Sequence, residues 1–218
     1  MQLWTTWLET LRAVLALLSS DLGLGLGLAI VVLTLCLRAV LLPVSWSCAY
    51  RACLHQKRVG WLQPEIRRLR ERYANQPQAL TEETMKLYRR RGLRLVETWP
   101  ILGAFAQMPV FLGMFSVLRQ GFEGARFLWV ASLSRSDFWL ALIAGATTVL
   151  MMLANPDLPE QTRMALILIP SVIAFVFALK FASALAIYWV TSNCFTAAQT
   201  FAVHGLVERR IRAGDIEV

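Results

Sequence analysis

The chain reads as an all-α membrane protein: five transmembrane helices, an interfacial amphipathic helix before them, and a helical hairpin between the first and second. Three observations predict this. Of its 218 residues, 57% are hydrophobic and only 17% charged, and the mean hydropathy is +0.53, well outside the range of a soluble domain. Five apolar runs stand out: Leu22–Val44, Trp99–Leu118, Phe138–Ala154, Met164–Leu179 and Ala182–Leu206. They reach or approach the ~20 residues a helix needs to cross hydrocarbon, with about 17 as a working minimum. The charge is also segregated, because twelve of the 22 Lys and Arg residues fall in 45–98.

Residues 1–21 are expected to form an external amphipathic helix lying in the interface plane. Leu3, Trp7, Leu11, Val14 and Leu18 recur at helical spacing, with Trp4, Thr5, Thr6, Glu9 and Arg12 among them. The absence of Lys or Arg in the first ten residues argues against a cleavable signal. The first span covers 22–44. Its opening, Leu22-Gly-Leu-Gly-Leu-Gly-Leu28, alternates as a strand does, yet a lone strand leaves its backbone unsatisfied in lipid. Helix is therefore expected from Leu22, with Gly23 and Gly27 permitting close packing.

Residues 45–98 form a basic cytoplasmic hairpin. Leu62, Ile66, Leu69 and Tyr73 stripe its first helix, Asn75-Gln76-Pro77 ends it, and Leu80, Thr84 and Leu87 mark the second. Proline cannot continue a helix but suits the start of one. The narrow stripes leave most of the hairpin wet, so it should protrude and move relative to the bundle. The remaining spans are 99–118, 137–154, 163–180 and 182–207. An external loop, 119–136, and a short cytoplasmic loop, 155–162, join them, and a basic tail, 208–218, follows. Asn155-Pro-Asp-Leu-Pro159 carries two prolines that stop any helix there.

Positive loops stay in the cytoplasm. On this topology sixteen basic residues lie inside and five (Arg12, Arg119, Arg126, Arg135, Lys180) outside. The N-terminus is then outside and the C-terminus inside. Cys36, Cys48, Cys53 and Cys194 show no CxxC pairing, and a disulfide framework is not expected in a reducing compartment. His55 and His204 have no carboxylate or cysteine at ligand spacing, so no metal is expected. There is no phosphate-binding GxxxxGK[ST] loop and no catalytic arrangement, so neither a cofactor nor an enzymatic activity is expected.

Polar residues within the spans point to function. Arg38 sits inside the first run, with Thr34 one turn before it on the same face. An ionisable side chain at membrane depth marks a functional site by default, although position 38 is close enough to Val44 for the side chain to snorkel. Gln107 lies mid-way along the second run. In the fifth, Trp189, Asn193, Thr196 and Thr200 share one helical face, and Tyr188, Ser192 and Gln199 a neighbouring one. Interhelical hydrogen bonds account for some of these residues. No Asp or Glu lies well within any span to neutralise Arg38, so a hydrated concavity near the cytoplasmic leaflet is expected. The basic hairpin suits an anionic partner, lipid headgroups or ribosomal RNA.

Four segments carry a family resemblance: Leu37-Arg-Ala-Val-Leu-Leu-Pro43, Leu62-Gln-Pro-Glu-Ile-Arg-Arg-Leu-Arg-Glu-Arg-Tyr73, Gln107-Met-Pro-Val-Phe111 and Tyr188-Trp-Val-Thr-Ser-Asn193. In kind and order they resemble the YidC insertase family with its Oxa and Alb relatives. The resemblance implies a five-helix core whose groove opens to cytoplasm and lipid but is closed outside. It assigns the groove to Arg38, Thr34, Gln107, Trp189, Asn193 and Thr196, and a substrate-sliding face to Met108, Phe111 and Tyr188. Arg67, Arg68, Arg70, Arg72, Lys86, Arg89 and Arg90 become the partner-binding face of the hairpin. Nascent membrane proteins and the lipid bilayer are the implied partners, with the ribosome, the signal-recognition-particle receptor and the Sec translocon as candidates. A bacterial plasma membrane is the implied location. Where relatives carry Asn-Pro-Leu-Gly after the hairpin, this chain reads Leu93-Arg-Leu-Val-Glu97, implying a stiffer hinge. A small channel or transporter holding an anion on Arg38 is the alternative, and a purely structural assembly factor a third reading.

Overall fold

The computed structural model describes residues 2–94, 97–119, 122, 124–158 and 162–216. Helices dominate it. Helix α1 (Gln2–Ala16) runs into a π-helical turn, Leu17–Asp21. It is followed by α2 (Leu26–Arg72), α3 (Pro77–Arg90), α4 (Trp99–Leu118), α5 (Phe138–Leu153), α6 (Arg163–Lys180) and α7 (Ser183–Arg212). Among the described residues the one extended pairing is an isolated bridge between Phe127 and Val130. By length and composition α2, α4 and α6 can each cross a membrane, while α5 is a shorter apolar helix. Helix α7, 30 residues long, has the length but carries polar side chains through its middle.

Several starts follow from local chemistry. Pro77 occupies the first turn of α3, where its missing N–H costs nothing. The Asp137 side chain caps α5 by accepting the Leu140 N–H at 2.7 Å. Helix α7 begins against a loop: Ser183 N–H donates to the Arg135 carbonyl at 2.9 Å and Ala184 N–H to that of Leu133 at 3.2 Å.

Two expectations need correction here. The Leu22–Leu28 repeat is not helical from its start, because Gly23 and Gly25 take positive φ (64° and 72°) and α2 begins only at Leu26. Of the two glycines expected to allow close packing, Gly27 does so, lying under the Phe127 ring, whereas a Cβ on Gly23 would meet nothing within 4 Å. Helix α2 passes through Pro43 and Pro64 without interruption. A proline inside a helix costs about 3 kcal/mol, because it leaves the carbonyl four residues earlier, here Ala39 and Gly60, without its usual intrahelical donor.

What changes at Pro43 is packing. The chain divides into two compact units, the first comprising residues up to Pro43 with Phe105–Phe201, the second Val44–Ala104 with residues from Ala202 onward. The core of the first unit gathers Leu11, Ile30, Met114, Leu118, Leu133 and Leu185 among others. Its α5 and α6 meet through small side chains, Ala141, Ala144, Gly145 and Thr148 against Ser171, Ala174 and Ala178, with Gly145 admitting the Phe175 Cβ and the Ser171 carbonyl. Small residues let helices approach closely where lipid supplies no hydrophobic drive.

Helix α1 is amphipathic, as expected, and its apolar side has a partner. It packs on α4: Trp7 Nε1 donates to the Pro109 carbonyl at 3.1 Å, and Gly113 leaves room for Trp7 and Leu11. Half-buried Trp7 and buried Leu11 and Leu15 line the packed side; of the stripe read in the sequence, Leu3 is 89% exposed and Val14 also faces outward.

In the second unit Cys53, Val203 and Val207 form a small core with Trp46, Tyr50, Leu54 and Ile211 around it. Leu62 and Ile66 of the expected stripe are buried. Arg91 of the segment after α3 pairs with Glu65 of α2 at 2.8 Å. Both histidines have partners that spacing along the chain did not reveal. His204 Nδ1 lies 3.4 Å from the Cys53 Sγ. His55 lies 3.2 Å from Glu97 and 2.9 Å from the Arg94 carbonyl. One turn before His55, the Arg51 guanidinium stacks over the Trp99 ring at 4.1 Å. These contacts tie the return segment to α2; Leu95 and Val96, within the expected hinge, lie outside the described residues, as does Pro159 of the 155–162 loop.

Candidate functional site

Arg38 projects from α2 into the first unit and is half-buried. Its Nε donates to Ser192 Oγ of α7 at 3.1 Å, and Nη2 reaches the same oxygen. The guanidinium also lies 5.8 Å from the centroid of the Phe195 ring. No carboxylate pairs with it among the described residues. The charge is therefore held by a neutral hydroxyl and an aromatic face, contributions of about 1.5–3 kcal/mol and ~0.5–2 kcal/mol. Both leave its sign uncompensated.

Around it stand Tyr188 and Gln107. Tyr188 is only 2% exposed, and the side chains of Gln107 and Ser192 bear on its hydroxyl beside the Arg38 charge. Gln107 Nε2 is buried without a hydrogen-bond partner among the described residues. An unmade hydrogen bond of this kind costs about 1–3 kcal/mol.

A second polar cluster lies one face round on α7. Thr148 of α5 accepts from Asn193 Nδ2 at 2.8 Å and from Trp189 Nε1 at 3.4 Å, and donates to the Ala144 carbonyl at 2.8 Å. The Trp189 ring packs on Phe177 at 5.3 Å and edge-on to Phe111 at 6.1 Å. Phe115 and Phe181 extend this aromatic cluster.

The residues expected in one groove thus separate. Arg38, Gln107 and Tyr188 come together. Trp189 and Asn193 belong to the Thr148 cluster. Thr34 is buried, with its hydroxyl turned back to the Ile30 carbonyl at 2.7 Å, and Thr196 likewise bonds Ser192 O at 2.9 Å. Both hydroxyls are spent on their own helices, as Thr commonly does in apolar surroundings. Of the expected sliding face, Met108 is exposed and Phe111 half-buried. Tyr188 is buried, so it cannot belong to a surface face. Ser192, Phe195 and Thr148 were missed. Ser192 was visible in the sequence as a neighbour of Tyr188, but Thr148 is one hydroxyl in an apolar run and gave no signal.

On the hairpin, Arg67, Arg68, Arg70, Arg72, Lys86, Arg89 and Arg90 are all exposed. Lys86 bonds Glu83 at 2.6 Å; this hydrogen bond holds the Glu83 carboxyl below its ordinary range and raises the Lys86 ammonium. Partial burial pushes the Tyr88 phenol up.

Helices with lipid-length apolar faces and an unneutralised arginine among interior polar side chains define a polytopic membrane protein with a buried polar site. A family model described as 60Kd inner membrane protein matches residues 17–210, and the chain belongs to that family. It is 31% identical over 182 residues to a membrane protein insertase YidC of Clostridium tetani, covering 81% of this chain and 80% of that one. It is 33% identical over 184 residues to the insertase MisCA of Bacillus subtilis, covering 79% and 67%. A YidC of Cellvibrio japonicus is 35% identical over 184 residues, but this chain spans only 32% of it. Among solved structures, an active YidC insertase with its first transmembrane domain resolved superposes with a TM-score of 0.62 at 25% identity, over 90% of this chain and 46% of that one.

Proposed function

We propose that this chain is a membrane protein insertase, acting on newly made membrane proteins in the lipid bilayer without nucleotide hydrolysis. The observation that carries the proposal is Arg38: a half-buried cation in an apolar unit, held by Ser192 and Phe195 but left without a counter-charge. An Arg at the centre of a bilayer costs about 2.5–3.5 kcal/mol on insertion scales, and such a cost persists where the charge has work to do. On this reading an acidic flank of the incoming segment supplies the missing negative charge. Gln107, with its free N–H, offers a donor to the segment's backbone, which in bare hydrocarbon goes unsatisfied at several kcal/mol per group. The segment's apolar helix then passes into lipid along α4, where Met108 stands between exposed Phe105 and Leu112. Its own hydrophobic transfer drives the step, and the protein lowers the barrier.

Five spans are proposed: the apolar part of α2, then α4, α5, α6 and α7, with the N-terminus outside and the hairpin and C-terminus in the cytoplasm. The exposed arginines of α2 and α3 would meet anionic partners there, the ribosome first among them, with the targeting receptor and the Sec translocon as further candidates. Arg38→Ala should reduce insertion of substrates with acidic flanks into reconstituted vesicles while the protein stays folded, and Arg38→Lys should be milder. Equal insertion by the Ala variant would sink the electrostatic role of the site.

A further inference from the structure

The loop between α4 and α5 ends in a hydrophobic tip that neither polar cluster uses. Phe127 and Val130 exchange both backbone hydrogen bonds, at 3.1 and 2.8 Å, so Leu128 and Trp129 are the two central residues of a tight turn. Leu128 has φ +51°, the single non-glycine residue at positive φ among the described residues. A two-residue turn with positive φ at its first central position favours Gly there, because any side chain crowds the following carbonyl. A leucine at this point is strained, and it is 75% exposed, with Trp129 52% exposed beside it.

The turn is held in place from below. Val130 and Leu133 are buried in the core, Phe127 lies over the bare backbone of Gly27, and Trp129 Nε1 donates at 3.3 Å to Asp137, the carboxylate that caps α5. A rigid mount that keeps a strained leucine pointing outward has a use only if the tip meets something apolar. Beyond Asp137, to which Trp129 is bonded, α5 begins with exposed Phe138 and Trp139, whose ring centroids are 5.7 Å apart, and carries exposed Leu142, Leu150 and Leu153 along one face. Exposed Arg126 and Arg135 flank the turn.

We propose that the Leu128–Trp129 turn is a membrane anchor: it seats Leu128 and the indole of Trp129 among the headgroups and upper acyl chains of the leaflet at that end of α4 and α5. The occupant is phospholipid because the tip is bonded to Asp137 at the start of α5, whose exposed face is apolar, because an indole suits that depth, and because the flanking arginines match lipid phosphates. The anchor fixes how deep the loop, and with it the start of α7 that the loop holds, sits in the membrane. It rests on α4 and α5 crossing the bilayer.

Tryptophan emission tests it. The full chain is reconstituted in phosphatidylcholine vesicles whose acyl chains are brominated near the headgroup or near their ends, and separately in unbrominated vesicles with iodide in the buffer. Subtracting the Trp129→Phe variant isolates the share of Trp129. Bromine near the headgroup should remove most of that share, bromine at the chain ends less, and iodide least. Leu128→Asn, which tolerates the positive φ, should weaken the bromine effect. Loss to iodide alone, or insensitivity to all three quenchers, overturns the anchor. The Trp139→Phe variant, read the same way, separates the two readings: if the Trp139 share is quenched by bromine and that of Trp129 is not, the anchor alone fails; if neither is quenched, the spanning of α5 fails with it.

Discussion

Thr148 does with one oxygen what the sequence offers no hint of. It satisfies the Asn193 amide and the Trp189 indole together while its own proton goes to the Ala144 carbonyl. Thr148→Val keeps the shape and removes the acceptor, leaving the buried Asn193 amide and the half-buried Trp189 indole without this partner, so it should cost about 1–3 kcal/mol. Thr148→Ser, which restores the oxygen, should melt close to the unsubstituted chain. Thermal unfolding in detergent compares the two, and equal losses would show that the methyl matters rather than the acceptor. Arg38 was legible because a charge in an apolar run has no cheap explanation. Its partners were harder to read. Ser192 and Phe195 lie on the face neighbouring the one expected to join Arg38 in a groove, and a helix turn of 100° per residue makes 192 and 193 adjacent in sequence yet distinct in what they touch. Thr34 is the converse case, sharing the face of Arg38 but bonding its own helix.

At the scale of elements, one helix shows how local rules and packing divide the work. Gly27 and Gly60 both lie inside α2. A Cβ on Gly27 would run into the Phe127 ring, whereas one on Gly60 would meet nothing within 4 Å. Gly60→Ala should therefore stabilise by roughly 0.5–1 kcal/mol through helix propensity. Gly27→Ala should lose stability, by about 1–3 kcal/mol if the ring cannot withdraw. Opposite signs in detergent melting curves are the expected result; a gain at both positions would show that Phe127 is not packed there. Apolar runs were legible as helices because a single segment satisfies its own backbone in lipid only as a helix, and Pro77 and Asp137 mark helix starts by chemistry local to them. Less legible was the register of α1, where both Val14 and Leu15 suit a stripe and only packing in the core decides that Leu15 is the buried one. The continuity of α2 was missed because charge changes at Pro43 while backbone geometry does not.

For the molecule as a whole the deciding quantity is where its charge sits. Its formal net charge is +8, and the exposed arginines of α2 and α3 form a polyvalent surface with few anions to offset them. Pairs such as Lys86–Glu83 and Arg91–Glu65 are solvent-exposed and screened, so they fix local geometry rather than stability. If this surface docks on ribosomal RNA, each arginine that meets a phosphate releases counterions, and the affinity falls with salt by about 0.7–0.9 log units per log unit of salt for each contact. Replacing Arg67, Arg68, Arg70 and Arg72 together by Gln should then flatten the salt dependence of ribosome binding by about three in slope, that being four contacts at this rate. The measurement uses the full chain in inverted inner-membrane vesicles, which present the cytoplasmic face. Right-side-out vesicles should not bind at any salt concentration. Binding from that side would reverse the proposed orientation, and an unchanged slope in the substituted chain would move the contact off the hairpin.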